Sequence, residues 1–391
     1  MAKAKAKVKI AIIGIGNMGG QHIGSLLDNK DCTLVAVCDT NPAKLKAAQT
    51  RGDFALYSDH KKLLKDQICD AVVIATPHYD HTTIGIEALK AGYHVLVEKP
   101  LSVHKKDCER LIAAYKKTKK QVFSAMFNQR TEPEHVKIKQ LLDKKELGKI
   151  MRVNWIITDW FRTEHYYSSG GWRATWAGEG GGVLLNQCPH QLDLLQWFCG
   201  MPSKVQATCA FGKYHKIEVE DDVTALLEYP NGATGVFITS TGEAPGTNRL
   251  EITGTQGKLV YENGKITFTR NEIPCDKQCK TAKMSFQAPE KWVIDVPPAR
   301  GHGGGHRGIL KNFINAISKG EKLIAPAIEG INSVEIGNAM LYSSLLGKSV
   351  SLPLNGNAYE KELNKLIKKS TFKKKVTKDG GASASEMAGS F

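Results

Sequence analysis

The chain has 391 residues, 41% hydrophobic and 24% charged, enough for two domains with a core each, and no apolar run approaches the length that crosses a bilayer. Its formal net charge of +15 would suit nucleic acid if it formed a patch. The ends, 1–9 and 361–391, hold nine of those charges, which leaves a mildly basic body suited to an anionic small molecule and argues against a nucleic-acid footprint. The nine cysteines form no C-x-x-C pair, the usage of a reducing compartment. The basic start MAKAKAKVK leads into a core strand without a cleavable apolar segment, so a cytoplasmic address and no membrane partner are expected.

From Val8 to Ile13 the chain is continuously apolar. Gly14, Gly16 and Gly19 follow in G-x-G-x-x-G spacing, then a helix-compatible stretch to Leu27. The pattern fits a buried strand turning into a helix: Gly14 permits the turn, Gly16 lets a pyrophosphate approach the backbone, and Gly19 lets helix and strand pack closely. A second apolar run, Thr33 to Cys38, ends in Asp39, about 20 residues past Gly19, where a ribose-binding carboxylate is expected. A helix starting at Pro42, a short strand at Phe54 to Tyr57 and a helix capped by Asp59 come next. Strands at Ala71 to Ala75 and His94 to Val97 then alternate with helices at Tyr79 to Ala91 and Val103 to Lys119, the order of a doubly wound parallel sheet. Ligands bind beyond the carboxyl ends of such strands. The candidate cofactor-binding residues are therefore Gly14, Gly16, Asn17, Met18, Gly19, Asp39, Thr76, Pro77, His78, His81, Glu98, Lys99 and Asn128. Lys99, directly after a strand, can hold a substrate hydroxyl and stabilise the alkoxide that develops there.

These stretches, AIIGIGNMG, VCDTNPAK, VVIATPHYDH and AGYHVLVEKPL, resemble the glucose-fructose oxidoreductase, inositol dehydrogenase and rhizopine catabolism family, Gfo/Idh/MocA. The resemblance continues through FNQR, GEGGGVLLNQCPHQLD and GTQGKL to about Pro353. It implies an α/β chain: an N-terminal Rossmann doubly wound parallel sheet, then an α/β domain with a large open, mostly antiparallel sheet. It also implies NAD(H) or NADP(H) and oxidation of a sugar or cyclitol hydroxyl. The expected domains are 1–127, 128–355, and a basic, partly disordered tail 356–391.

Between Trp155 and Trp176 lie four of the six tryptophans, with Tyr166, Tyr167, Arg162 and Arg173, a mixture that suits sugar rings with apolar faces and polar rims. Gly180 to Gly182 read as a flexible approach to Asn186, Pro189 and His190. From Cys188 onward, Leu192, Leu195 and Cys199 form a core stripe. His190, Asp193 and Trp197 form an opposite stripe free to face a cleft, and the positive end of the helix disfavours a charged ring at His190, leaving it able to act as a base. Many members of the family hold an aspartate four residues before this histidine. Here Asn186 stands in that place, so the catalytic set carried across is Lys99, Asn186 and His190. Candidate substrate-binding residues are Lys99, Arg162, Tyr166, Trp172, Arg173, Asn186 and His190.

Strands are expected from Val205 to Thr269, and the resemblance suggests that a second subunit covers this sheet, making a homo-oligomer. Residues 270–300 show no pattern. His302 and His306 are read as a loop near the pocket, and no metal is assigned to them or to Cys275 and Cys279. Helices at Gly308 to Lys319 and Glu329 to Leu346 close the domain. Asp39 favours NAD(H) over NADP(H), with Lys44 nearby. The expected activity is NAD(H)-dependent oxidation of a carbohydrate ring hydroxyl, most similar to bacterial members that oxidise C3 of glucosides to 3-keto sugars. Alternatives are a nucleotide-sugar dehydrogenase with Arg162 and Arg173 as a phosphate clamp, an inositol dehydrogenase, an enzyme that cleaves glycosides while its NAD cycles internally, and a non-catalytic NAD-binding regulator.

Overall fold

The computed structural model of the chain describes residues 7–118 and 120–376. Backbone packing divides it into two compact units, one of residues up to 131 with 304–334, the other of residues 132–303 with those from 335 onward. The first unit thus takes in 304–334, a segment that the sequence reading grouped with the second domain.

Short apolar runs with no polar alternation need cover on both faces, and parallel strands receive it. The first unit has six: β1 (Val8–Ile13), β2 (Cys32–Cys38), β3 (Ala55–Tyr57), β4 (Ala71–Ile74), β5 (His94–Val97) and β6 (Phe123–Ala125). They run parallel in the order β3-β2-β1-β4-β5-β6. Strand order reverses between β1 and β4, so a crevice opens at their carboxyl ends. The connecting helices begin on caps legible in sequence: Asn41 accepts the Ala43 N–H ahead of Pro42, and Asp59 accepts that of Lys61. The late segment completes this core. Ile309, Leu310, Phe313 and Ile314 of the helix Gly305–Lys319 are buried in it. Ala325 O accepts from Ala125 N and Ser124 Oγ, covering the β6 edge.

The second unit is built on nine strands: β7 (Ile150–Ile157), β8 (Lys204–Phe211), β9 (Glu220–Glu228), β10 (Thr234–Ser240), β11 (Asn248–Gly254), β12 (Gly257–Glu262), β13 (Lys265–Asn271), β14 (Lys291–Val296) and β15 (Val350–Ser351). Their order is β14-β13-β12-β11-β7-β10-β9-β8-β15, and only the β7–β10 pair is parallel. Alternation sorts the faces: Trp155, Ala225, Leu227, Phe237, Leu250 and Leu259 are buried, while Leu226 is exposed and Val236, Ile238 and Val260 are half-exposed.

Four features differ from the sequence expectation. β7 was not foreseen, yet it is central, with Val153, Trp155 and Ile157 pointing to the core. Within 270–300, β14 and the helix Cys275–Thr281 are regular; β14 is an edge strand whose side chains are largely exposed, so it carries no burial alternation to read. The tail begins with a helix, Gly356–Lys369, anchored by buried Tyr359 and Leu363; the expected disorder at the extreme end lies outside the described residues. The helix Pro189–Cys199 is buried almost all round, His190 and Asp193 included, so its second stripe is not a free face. No helix among the described residues is long and apolar enough to cross a membrane.

Candidate active site

In the first unit the glycine turn does what its spacing demands. Gly14 has φ +86°, and a Cβ there would lie 2.7 Å from the Ala75 carbonyl; a Cβ on Gly19 would lie 1.9 Å from Gly14 O. Over Gly16 the nearest atom to an added Cβ is Lys44 Nζ at 3.9 Å, so open space stands above the N-terminus of the helix Asn17–Leu27. That helix has no side-chain cap and no acid in its first turn, which leaves its N–H groups and positive end to an anion. Asn17 is exposed and Met18 partly so. Asp39 Oδ2 accepts the Ile15 N–H (2.9 Å) and Oδ1 that of Asn41 (2.9 Å), holding the carboxylate beside the turn, with Lys44 Nζ 3.6 Å from Oδ2. Two buried oxygens beyond the carboxyl ends of β4 and β6, Thr76 Oγ1 and Asn128 Oδ1, have no hydrogen-bond partner among the described residues. An open cradle and orphaned polar atoms on one sheet edge fit a dinucleotide.

Glu98 follows β5 and is buried. Burial alone would raise its pKa, but the His22 hydrogen bond (Nε2–Oε1, 2.6 Å) and the positive potential of His22, His306 and Lys99 hold the carboxyl at about 2. Its other oxygen accepts the Lys99 N–H (3.1 Å), and the Lys99–Pro100 bond is cis. His306 is not a loop residue: it stands in the first turn of the helix Gly305–Lys319, its ring 5.9 Å from that of His22. His81 is fully buried, with its ring nitrogens 2.9 Å from Pro100 O and 2.9 Å from Thr76 O. Burial pushes its pKa down despite those carbonyls, and the ring serves to tie together the Thr76 and Pro100 turns. Pro77 is exposed and His78 buried at the start of the next helix.

In the second unit Gly180 to Gly182 are tightly seated rather than flexible. Gly180 has φ +77°, and a Cβ on Gly182 would lie 2.0 Å from Glu220 O. Glu220 Oε1 accepts the Leu184 N–H (3.0 Å), fixing the short helix Val183–Asn186 that carries Asn186. Asn186 Nδ2 donates to Glu179 Oε1, and its Oδ1 accepts from Tyr166 Oη (3.2 Å) and Gln187 Nε2 (3.3 Å). Tyr166 Oη in turn accepts from Arg173 Nη1 (2.7 Å) and Gln187 Nε2 (3.0 Å). The Arg173 guanidinium lies 4.6 Å from the Tyr166 ring and 4.8 Å from that of Trp172; that of Arg162 lies 5.3 Å from Tyr166 and 5.7 Å from Trp160. Behind Arg162, its carbonyl is 2.8 Å from His215 Nε2, and His215 pairs with Asp221 (3.0 Å). The tail reaches the same segment: Lys374 Nζ donates to Arg173 O (2.6 Å) and Ser169 O (3.4 Å), and burial followed by Arg173 lowers its pKa to about 8.

Of the sequence candidates in this unit, Tyr166, Trp172, Arg173, Asn186 and Arg162 form one connected cluster. His190 sits in the first turn of the next helix, 2% exposed, with Asp193 accepting from Gln196 Nε2 (3.1 Å). Sequence reasoning missed Glu179, Gln187 and Glu220 here, and His22 in the first unit. A carboxylate in a glycine-rich stretch reads as solvated, so no local signal marks Glu179. Glu220 carries no local signal either, being the first of three acids, Glu220, Asp221 and Asp222, that open β9.

Residues 8–126 match the family model for the oxidoreductase family with an NAD-binding Rossmann fold, and residues 135–260 that for the GFO/IDH/MocA C-terminal domain. The chain is similar to the myo-inositol 2-dehydrogenase of Thermotoga maritima, 26% identical over 270 residues, 66% of this chain and 77% of that one. It is also similar to the levoglucosan dehydrogenase of Pseudarthrobacter phenanthrenivorans, 25% identical over 353 residues, 81% and 89% of the two chains. Among solved structures, the WlbA dehydrogenase of Chromobacterium violaceum, in complex with NADH and UDP-GlcNAcA, superposes with a TM-score of 0.77 at 30% identity, covering 89% of this chain and 97% of that one. The chain belongs to the Gfo/Idh/MocA family of oxidoreductases, with that family's NAD-binding Rossmann fold.

Proposed function

We propose that the protein oxidises a ring hydroxyl of a carbohydrate with NAD as acceptor, at C3 of a glucoside, giving a 3-keto sugar. The observation that carries this reading is the cluster around Asn186, in which Tyr166, Trp172 and Arg173 combine ring faces with directed donors suited to a sugar. NAD supplies the hydride acceptor when bound, held by Gly14, Gly16, Asn17, Met18, Gly19, Asp39, Thr76, Pro77, His78 and Asn128, with His81 and Glu98 supporting the turns. His190 takes the hydroxyl proton, Lys99 stabilises the oxygen as charge develops, and Asn186 orients it through its amide, which exchanges no proton. Asp39 disfavours a 2′-phosphate, so NAD is the acceptor rather than NADP. A panel of glucosides, inositols and UDP-sugars incubated with NAD tests this: NADH appearing with a keto-glucoside supports it. A changed sugar without NADH would mean that the cofactor cycles internally, and NAD binding without turnover of any sugar would leave a non-catalytic binding role.

A second reading, a nucleotide-sugar substrate, is favoured by the two guanidiniums of Arg162 and Arg173, both within 5.3 Å of the Tyr166 ring and able to hold phosphate oxygens, and by the UDP-sugar in the WlbA complex. A UDP-sugar turned over far faster than any simple glucoside would select it. The uncovered sheet face bearing Leu226, Val236, Ile238 and Val260 supports a homo-oligomer, and light scattering showing a monomer at micromolar concentration would remove that assignment. The unpaired cysteines suit a cytoplasmic location.

A further inference from the structure

Glu179 is 1% exposed. Its Oε2 accepts the Ala174 N–H (2.6 Å) and its Oε1 accepts from Asn186 Nδ2. An ionised carboxylate only accepts, so the side of the Asn186 amide turned to it must be the NH2. The amide carbonyl then has to face Tyr166 and Gln187, where both available groups donate. Tyr166, having given its one proton to Asn186, accepts from Arg173 and Gln187. A flipped amide would press its oxygen against Glu179 and its NH2 against donors. Donor and acceptor alternate without conflict along the whole chain, and the direction is set at Glu179.

We propose that Glu179 is a positioning residue that fixes the orientation of Asn186. This rests on the reading of Asn186 as the group that orients the substrate hydroxyl. An aspartate at 186 would set two buried carboxylates in hydrogen-bond contact, and one would have to hold a proton. Burial raises the Glu179 pKa above the ordinary carboxylate range, while Arg173, the Ala174 N–H, the Asn186 amide and Lys374 favour its charge; Glu220 opposes it, and the phenols of Tyr166 and Tyr167 stand nearby.

The test is the reciprocal exchange. In Asn186→Asp the two carboxylates collide. In Glu179→Gln a single amide oxygen must serve two donors, Ala174 N and Asn186 Nδ2. When Glu179→Gln and Asn186→Asp are combined, the new amide accepts from Ala174 N and donates to the new carboxylate. That carboxylate's second oxygen accepts from Tyr166 and Gln187, so every group is again satisfied. Without substrate, the unfolding midpoint of Asn186→Asp should fall relative to wild type as pH rises from 5 to 9, and the double variant should recover the wild-type slope. For the sugar that the wild type oxidises, kcat/KM should fall roughly tenfold or more in each single variant and recover in the double, with KM for NAD unchanged. Parallel midpoint curves for Asn186→Asp and wild type, or a double variant no better than the worse single one, would overturn the proposal. So would a cost of Glu179→Gln that is undiminished in an Asn186→Ala background. Coupled unfolding curves in a protein that oxidises none of the sugars would uphold the pair and remove the dehydrogenase reading instead.

Discussion

Glu220 opens β9 fully buried, with one oxygen on Leu184 N and the other without a partner among the described residues. Burial, with Glu179 adding a smaller push, raises its carboxyl from 4.5 to about 7. At roughly 1.36 kcal/mol for each tenfold change in proton affinity, that displacement corresponds to about 3 kcal/mol. Its sign follows from proton counts. Between pH 4.5 and 7 the folded protein holds a proton that the unfolded chain has released, so stability falls through that window and levels off above it. Glu220→Gln keeps an acceptor for Leu184 N and removes the titration. Its new NH2 finds no ready acceptor, which adds a constant cost of about 1–3 kcal/mol. The stability difference between variant and wild type should therefore shift by about 3 kcal/mol in the variant's favour from about pH 4.5 to about pH 7.5. For a unit of this size that is about 6–12 °C in midpoint. Thermal unfolding followed by circular dichroism across that range reads it. Parallel curves for the two proteins would refute the buried-carboxylate argument.

Asp39→Ser should move the ratio of NAD to NADP affinity by roughly 10–100-fold towards NADP, because the carboxylate is lost while Lys44 remains. The ratio is the quantity to measure by fluorescence titration, since Asp39 also satisfies Ile15 N and Asn41 N and absolute affinities will fall. Glu98, held at about 2, contributes stability that is present above its ordinary 4.5 and is lost as pH falls towards 2. His22→Ala strands that carboxylate and should cost about 3–5 kcal/mol at pH 7, with the gap to wild type narrowing by pH 3.5 as the acid protonates; urea unfolding at the two pH values checks this, and a gap that does not narrow would count against the pair.

The dinucleotide-binding half was legible because its signals are local. Gly14 and Gly19 answer to clashes with backbone a few residues away or on an adjacent strand, and the buried strands read as unbroken apolar runs. The antiparallel strands from Lys204 to Asn271 were legible from alternation. β7 alternates too, but exposed Met151 and Arg152 blur its start, and the density of aromatics from Trp155 onward drew the reading towards a pocket. The stripe through His190 misled because amphipathicity assumes one wet face, whereas the helix Pro189–Cys199 has none. The catalytic candidates were nameable, but the groups that orient them were not. Glu220 acts on Leu184 across 36 residues, and Glu179 matters only because folding removes it from water.

The first unit is assembled from chain segments made at different times. Its core waits for Ile309, Leu310, Phe313 and Ile314, and its β6 edge for Ala325. At about 5–20 residues per second, residues 132–303 occupy the ribosome for roughly 10–30 s after Thr131 has been joined, so the nascent Rossmann sheet is held unfinished while the whole of the antiparallel sheet as far as β14 is made. A gene fragment ending at Thr131 would encode a sheet with one edge and part of its core open to water. Expressed alone, it should aggregate, and a fragment that appends residues 304–334 through a short linker should not.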